Sequence, residues 1–380
     1  MSPARPAGPA AFRRRFPVLE RRVHLAGCSL GPRSLDLDEA MARMLDAMAD
    51  GGAPWELFEE EVRRSREAFA ALIGARPDQV AVVPNASVGA YQVASALEWR
   101  DRPRVVTSTL EFPSVAHVWL AQRPRGAEVV HAETAEQYEE LTGERTGLVS
   151  VPLIGYQDAE RLPAERIART AHAAGADVFV DAYQAVGVTP VDVTRLDCDY
   201  LVAGTMKYLL GLPGLAFLYV RDPDRMPRRP RLTGWFGRVD PFAFDPRVLD
   251  FAPTAARFET GTPAVPACYA AGAGLGLVRS LDAGAVHAHV LDLTDLAAGR
   301  LAEQGHRVRI LPRERRGAHL GLLAADPVGL ARRLADRGIA VSPRGDVVRL
   351  SFHYYNNADD VDALCAALDG LTVAPAEARA

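Results

Sequence analysis

Short apolar runs alternate with helical segments along the chain from about residue 54 onward. The first helical segment, PWELFEEEVRRSREAFAALIG, has Pro54 in its first turn and Gly74 as its terminator. The strand-like runs that follow lack polar alternation, which is typical of parallel strands buried on both faces of a sheet. They lie at residues 79–84, 104–109, 127–132, 147–154, 177–182, 199–205 and 215–220. The pattern predicts an α/β fold, and the tight link between the last two runs favours an antiparallel pair.

The second half of the chain indicates a separate, smaller unit. An irregular segment reaches to about residue 262, and helical composition then dominates up to residue 304. Strand-like VRIL, HLGLLAA and VVRLSFHYY follow, with helical DPVGLARRLADRG and ADDVDALCAALDGL between and after them. The run GAGLGL at 272–277 imitates a dinucleotide-binding loop, but it follows no strand, so we interpret it as close helix packing.

These patterns predict three segments. Residues 1–23, rich in Pro, Ala and Arg, form a poorly ordered N-terminal arm. Residues 24–262 form a large domain, with a mainly parallel sheet between layers of helices. Residues 263–380 form a smaller C-terminal α/β domain.

Charge and cysteine usage exclude several kinds of partner. A net charge of −4 and a pI near 6.2 give no reason to expect nucleic acid or an anionic membrane. No run of about eighteen apolar residues and no secretory h-region occur, so we predict a cytoplasmic protein. The four cysteines show no zinc-like or redox spacing, and we expect neither a metal site nor a disulfide: Cys28, Cys198, Cys268 and Cys365. The basic run Arg313–Arg316 is interpreted as a solvated loop.

Lys207 is the only lysine in the chain, against 43 arginines. A coding bias toward arginine could have left it there by chance. A lysine amine, however, can lose its proton when desolvated and form a Schiff base, whereas an arginine guanidinium stays charged. The position of Lys207 in the fold decides between these interpretations.

Polar groups suited to one cofactor follow three of the predicted strands. Lys207 comes directly after the run DYLVAGT, Asp181 ends DVFVDA, and Asn85, Ala86 and Ser87 lead from QVAVVP into a helix. All therefore lie at the carboxyl edge of the sheet, where a helix start binds phosphate. Asp181 and Ser87 taken singly could be ordinary helix-capping residues. Together, an amine, a carboxylate and an anion site predict pyridoxal 5'-phosphate as the cofactor.

From residue 24 to 368 the sequence resembles the class V aminotransferase group of fold-type I pyridoxal phosphate enzymes, which includes cysteine desulfurases and kynureninases. HLAGCSLGP is similar to the N-terminal active-site strand of that family. DAYQAVG matches a D-x-x-Q pattern, which implies that Asp181 pairs with the pyridine nitrogen and Gln184 lies near the phenolic oxygen. DYLVAGTMKYLLGLPGLAFLYV is similar to the segment that holds the Schiff-base lysine, here Lys207.

The same resemblance implies further site residues. LEFPSV puts Phe112 where a ring stacks on the cofactor, and NASVG puts Ala86 and Ser87 at the phosphate. RFETGTPAVPA implies that Thr262 reaches the phosphate of a second subunit, in a homodimer with shared sites. VVRLSFHYYNNADDVD implies that Arg349 binds the substrate carboxylate, which its planar fork of donors suits.

Four departures from the family pattern bear on the cofactor site and on the reaction. Met206 precedes the lysine where relatives often carry His or Tyr, so a phosphate donor is missing or replaced by Thr205. The segment from 339 to 349 contains no cysteine, which argues against sulfur transfer through a persulfide there. D-x-x-Q lacks the kynureninase histidine, and YQDAE at 156–160 lacks the usual polar–Gly pair. Trp235, in LTGWFGR, resembles a residue near the cofactor phosphate, with a domain-junction filler as the alternative.

The sequence thus predicts a pyridoxal phosphate enzyme acting on an amino acid or an amino-acid conjugate. Lys207 would bind the cofactor as a Schiff base and then move the proton of the alpha carbon. A lyase reaction, β-elimination or C–S cleavage, is the leading hypothesis. Transamination comes second, and epimerisation or decarboxylative deamination third. A cofactor-free structural subunit that keeps the fold is the non-enzymatic alternative.

Overall fold

The computed structural model describes residues 8–224, 228–371 and 373. Twelve α-helices occur in this part of the chain: α1 (Pro9–Arg13), α2 (Leu35–Gly51), α3 (Trp55–Leu72), α4 (Ala86–Ala96), α5 (Pro113–Leu120), α6 (Ala135–Leu141), α7 (Ala164–Ala173), α8 (Val193–Leu196), α9 (Val265–Arg279), α10 (Ala283–Glu303), α11 (Pro327–Asp336) and α12 (Ala358–Leu368). The strands are β1 (Val23–His24), β2 (Val80–Val83), β3 (Arg104–Ser108), β4 (Glu128–Ala132), β5 (Thr146–Pro152), β6 (Asp177–Asp181), β7 (Tyr200–Gly204), β8 (Ala216–Val220), β9 (Val308–Arg309), β10 (His319–Leu323), β11 (Ile339–Ala340), β12 (Ser342–Arg344) and β13 (Val347–Ser351).

The seven strand-like runs form one sheet, in the order β2-β8-β7-β6-β5-β3-β4. Strands β3 to β7 run parallel, and β8 is antiparallel to both β7 and β2, so the predicted antiparallel pair is confirmed. Alternate residues face opposite layers: Val80 and Val82 pack in one apolar cluster, and Ala81 and Val83 in another. Helices cover both faces, which explains why these strands are apolar throughout.

The small unit is a four-stranded antiparallel sheet, in the order β12-β13-β10-β9, packed with α10, α11 and α12. Its apolar cluster includes Val290 of α10 and Val361 of α12. Helix α9 packs elsewhere, because its Cys268 and Leu275 share a cluster with Phe69 of α3. The boundary predicted between residues 262 and 263 therefore moves to the link between α9 and α10. The run GAGLGL lies inside α9, as predicted.

The prediction of a poorly ordered arm is wrong for residues 8–23. Phe12 and Phe16 are buried against each other, and Phe16 stacks near Tyr355. Arg13 donates hydrogen bonds to both carboxylate oxygens of Asp360, each at 2.9 Å. Strand β1 then pairs in parallel with β11 of the small unit. The polar, proline-rich composition of this segment gave no indication that Phe12 and Phe16 are buried.

Two other local expectations differ from the structure. Helix α2 precedes the first helix that the pattern predicted, and Ser34 caps it by accepting a hydrogen bond from Leu37 N–H at 3.1 Å. Arg316 is buried and not solvated, because its guanidinium donates to Thr294 Oγ1 at 3.1 Å and pairs with Asp295. Within the described residues no helix combines the length and the apolar character needed to cross a bilayer.

Candidate active site

A cavity of about 260 Å³ opens at the carboxyl edge of the large sheet and reaches the small unit. The ends of parallel strands meet along this edge, so side chains distant in sequence converge there. The large unit contributes residues that follow β2, β3, β6 and β7, and the small unit contributes two arginines of the β12–β13 hairpin. The polar side chains among those that line it are Cys28, Ser29, Asn85, Glu111, Ser114, Tyr156, Asp181, Tyr183, Gln184, Lys207, Arg344 and Arg349.

Lys207 lies in the turn after β7, and only 8% of its surface is exposed. Its Nζ is 4.3 Å from the centre of the Tyr183 ring and 5.4 Å from that of Phe112. Burial lowers the pKa of Lys207 to about 8, against the opposing effect of the Asp181 carboxylate. Leu210, whose N–H bonds the Lys207 carbonyl, has a φ of 59°, a strained conformation of the kind found at functional sites. The lowered pKa increases the share of the amine that is unprotonated, and thus nucleophilic, near neutral pH.

Asp181 and Glu111 form a buried pair of carboxyl groups that share a hydrogen bond. Asp181 Oδ1 also accepts from Tyr183 N–H at 2.8 Å, and Glu111 Oε1 accepts from Phe112 N–H at 2.8 Å. Burial and the charge of Asp181 raise the pKa of Glu111 well above its usual value. Burial also raises the pKa of Asp181, but the Tyr183 N–H and the Lys207 amine oppose it. Glu111 therefore keeps its proton, and Asp181 carries the charge into the cavity.

Glu111 was not predicted from the sequence, and a pair of variants tests its state. Glu111→Gln keeps an acceptor for Phe112 N–H and a donor for Asp181, so we expect it to lower the free energy of unfolding by less than about 1 kcal/mol. Glu111→Leu leaves both partners unpaired, and we expect a loss of about 2–4 kcal/mol. Denaturant unfolding of the two variants measures the difference. Equal losses would mean that Glu111 is not the protonated member of the pair.

The start of α4 presents backbone N–H groups at the cavity wall. Asn85 caps this helix, its Oδ1 accepting from Val88 N–H at 3.0 Å, so Ser87 is not the cap. Ala86, the first helical residue, lines the cavity beside Asn85. The Ser87 hydroxyl donates to the Ser114 carbonyl at 2.9 Å. The first N–H groups of a helix lack intrahelical partners and favour an anion, so this end of the cavity suits a phosphate group.

The remaining predicted residues divide into two groups. Phe112 and Gln184 line the cavity, and Gln184 Oε1 is buried without a partner among the described residues. Thr205 is buried away from the cavity, because its hydroxyl donates to the Leu212 carbonyl at 2.7 Å. Trp235 packs against Phe236, Phe242 and Phe244, and Thr262 is exposed, so neither reaches the cavity of its own chain.

Arg349 lies on β13, with 1% of its surface exposed. Its guanidinium donates to the Tyr156 carbonyl at 2.6 Å and to Ser342 Oγ at 2.9 Å. Both partners are neutral, and Nε is buried with no partner in the described chain. His319, on the neighbouring β10, stays neutral, since burial and the charges of Arg349 and Lys207 lower its pKa to about 3. An uncompensated, oriented guanidinium of this kind suits a carboxylate ligand.

Tyr183 is a second residue that sequence reasoning missed, although it lies within the D-x-x-Q pattern. Its ring packs on the backbone of Gly204, where an added Cβ would lie 2.0 Å from Tyr183 Cζ and Oη. A glycine is thus required at position 204 because the Tyr183 ring lies against the backbone there. The backbone conformation itself does not require glycine. Burial, with the Asp181 charge, raises the pKa of Tyr183 to about 12. The phenol therefore stays protonated beside Lys207.

Gly204→Ala is expected to displace the Tyr183 ring and to lower the free energy of unfolding by about 1–3 kcal/mol. Denaturant unfolding measures this loss. Gly276→Ala is the matched control, because a Cβ there meets nothing within 4 Å. Gly276 lies inside α9, so alanine should stabilise the protein by about 0.5–1 kcal/mol. A Gly204→Ala protein as stable as the parent would show that the ring does not occupy this place.

Known proteins resemble this chain in sequence and in fold. The family model of aminotransferase class-V matches residues 54–364. The "Uncharacterized aminotransferase YcbU" of Bacillus subtilis is 34% identical, over 93% of this chain and 95% of that protein. A kynureninase of Pseudomonas fluorescens is 28% identical, over 87% of this chain and 84% of its own. The apo structure of a cysteine desulfurase from Thermococcus onnurineus superposes with a TM-score of 0.87, at 20% identity, over 96% and 98% of the two chains.

The chain belongs to the aminotransferase class-V family, and it is a pyridoxal phosphate-dependent enzyme with the fold-type I architecture. The residues of the cavity fit that cofactor: a desolvated amine, a charged carboxylate and an anion-binding helix start line one space. When bound, pyridoxal phosphate supplies an aldehyde for the lysine and a ring that accepts an electron pair from the alpha carbon. Membership of this family rules out the cofactor-free subunit.

Proposed function

We propose that the protein is a lyase that removes a substituent from the beta carbon of an amino acid or an amino-acid conjugate. Arg349 would hold the alpha carboxylate, Asp181 would face the ring nitrogen of the cofactor, and the start of α4 with Ala86 would hold its phosphate. Lys207 would bind the cofactor and then move the alpha proton, for which its pKa of about 8 suits it. Gln184 and Phe112 would complete the cofactor contacts.

Tyr183 is the observation that carries the choice of a lyase. Elimination requires a base that removes the alpha proton and an acid that protonates the leaving group. Transamination transfers one proton, and one acid–base side chain is enough for it. The centre of the Tyr183 ring lies 4.3 Å from Lys207 Nζ, and the side chain, whose phenol is protonated at neutral pH, lines the same cavity. The pocket therefore holds two separate proton carriers. This pairing favours elimination.

The hairpin opposite the large sheet supports release of the leaving group rather than its capture. Strands β12 and β13 meet in a tight turn, in which Gly345 has a φ of 54°. The hairpin carries Arg344 into the cavity and has no thiol from residue 339 to 349. A sulfur-containing leaving group would therefore find no persulfide-forming cysteine on this hairpin.

A panel of cysteine conjugates and amino acids tests the proposal. We expect release of pyruvate or thiol without accumulation of pyridoxamine phosphate. In Tyr183→Phe, leaving-group release should fall by about 10²-fold, while exchange of the alpha proton with deuterated solvent continues. Accumulated pyridoxamine phosphate with no leaving group released would instead establish transamination.

Transamination is the second candidate, supported by the 34% identity to a relative whose name assigns it as an aminotransferase. Epimerisation and decarboxylative deamination remain third. We further propose a homodimer in which Thr262 and Trp235 act across the interface, since Thr262 is exposed and neither residue lines the cavity of its own chain. Size measurement in solution tests the dimer. The cytoplasmic location stays a prediction.

A further inference from the structure

Arg344 is a second arginine that faces the cavity, and the hairpin register explains its position. Ser342 pairs with Arg349 and Arg344 pairs with Val347 across the antiparallel β12 and β13. Side chains two residues apart on a strand share a face, so Arg344 and Arg349 lie on the same face as diagonal neighbours. Both line the cavity that contains Lys207.

No acid of the described chain lies within ion-pair distance of Arg344. Its single hydrogen bond is to a neutral group, the Pro343 carbonyl, which accepts from Nη1 at 2.8 Å. Asp346, two residues away, is engaged by Arg309 at 2.7 Å and by Gln157 at 3.1 Å. The charge of the Arg344 guanidinium is thus left without a protein partner, although the side chain is only partly exposed.

Before a cofactor or substrate binds, the cavity carries more positive than negative charge. Three cationic side chains line it, Lys207, Arg344 and Arg349, against a pair of acids that hold one charge between them. Burial and the charge of Arg349 lower the pKa of Arg344, and both arginines lower that of Lys207. Like charges placed this close are costly unless a ligand supplies a counter-charge.

We propose that Arg344 binds a second anionic group, located on the side chain of the substrate. The substrates are then amino acids with an acidic side chain, or conjugates that carry an acidic group, and Arg349 takes the alpha carboxylate. This inference rests on the proposed function, because it presumes an amino-acid ligand at Arg349. It identifies Arg344 as a specificity-determining residue of the hairpin.

Isosteric pairs of ligands test this subsite in the cofactor-loaded protein. Dissociation constants of aspartate and asparagine, and of glutamate and glutamine, are measured from the change in visible absorbance of the bound cofactor. We expect at least one acid to bind about tenfold to hundredfold more tightly than its amide, as a charge-assisted hydrogen bond provides. Arg344→Gln should abolish that preference and leave amide binding within about twofold.

Two further variants make the outcome specific. Arg349→Gln should weaken acid and amide alike, because both carry the alpha carboxylate. Arg332→Gln, at an exposed arginine of α11 outside the cavity, should change neither. The subsite is refuted if the parent does not distinguish acid from amide, or if Arg344→Gln weakens both equally or weakens pyridoxal phosphate binding itself. If no amino acid alters the absorbance of the parent, the proposed function fails as well.

Discussion

Lys207→Ala should lower the turnover of any active substrate by at least about 10³-fold, because we propose that this one side chain both binds the cofactor and moves the alpha proton. The protein should still fold, since alanine removes a desolvated amine and not a core contact. Steady-state kinetics and the visible spectrum of the purified variant measure the two effects. We expect a protein that lacks the yellow colour of the parent.

Lys207→Arg tests whether a positive charge at this position is sufficient or whether an amine that can lose its proton is required. A guanidinium keeps the positive charge but does not lose its proton in proteins. We therefore expect this variant to be as inactive as Lys207→Ala. Activity within about tenfold of the parent in either variant would contradict the role of the amine.

Asp181→Asn has the second largest expected effect. Asparagine keeps an acceptor for Tyr183 N–H but removes the charge that faces the cavity, so turnover should fall by about 10²–10⁴-fold. The Asp181 carboxylate raises the pKa of Lys207, so without it that pKa should fall below about 8. The free amine then predominates from a lower pH. The rate at which apoprotein captures pyridoxal phosphate should rise through pH 8 in the parent and at lower pH in the variant.

Asp158→Asn is the control for this shift. Asp158 accepts from Glu160 N–H at 3.1 Å and is not among the charges that act on Lys207. Its substitution should leave the pH midpoint of cofactor capture unchanged. A midpoint that is unmoved or raised in Asp181→Asn would show that Asp181 does not carry the charge.

The strands of the large sheet could be predicted because each follows from a local pattern. Each buried strand is a short apolar run, and the residue that ends it must lie at the carboxyl edge. Lys207, Asp181 and Ala86 were placed in one cavity by that reasoning. The family resemblance added Phe112, Gln184 and Arg349, all of which line the same cavity.

Other features depend on contacts that no local pattern encodes. Glu111 is one residue from Phe112, but its importance arises from Asp181, which follows a different strand. Thr205 lies in the same segment as Lys207, yet its hydroxyl donates to the Leu212 carbonyl and does not line the cavity. The N-terminal segment packs on the far end of the chain: Phe12 contacts Tyr354, Phe16 contacts Tyr355, and Arg13 pairs with Asp360, 347 residues away.

The central claim is that the single lysine holds the cofactor, and one measurement tests it directly. The purified protein is loaded with pyridoxal phosphate, reduced with borohydride, digested and analysed by peptide mass spectrometry. Because the chain has one lysine, side-chain attachment has one possible site. The account predicts a reduced cofactor adduct on the peptide that contains Lys207. An unmodified Lys207 peptide from fully loaded protein would contradict it.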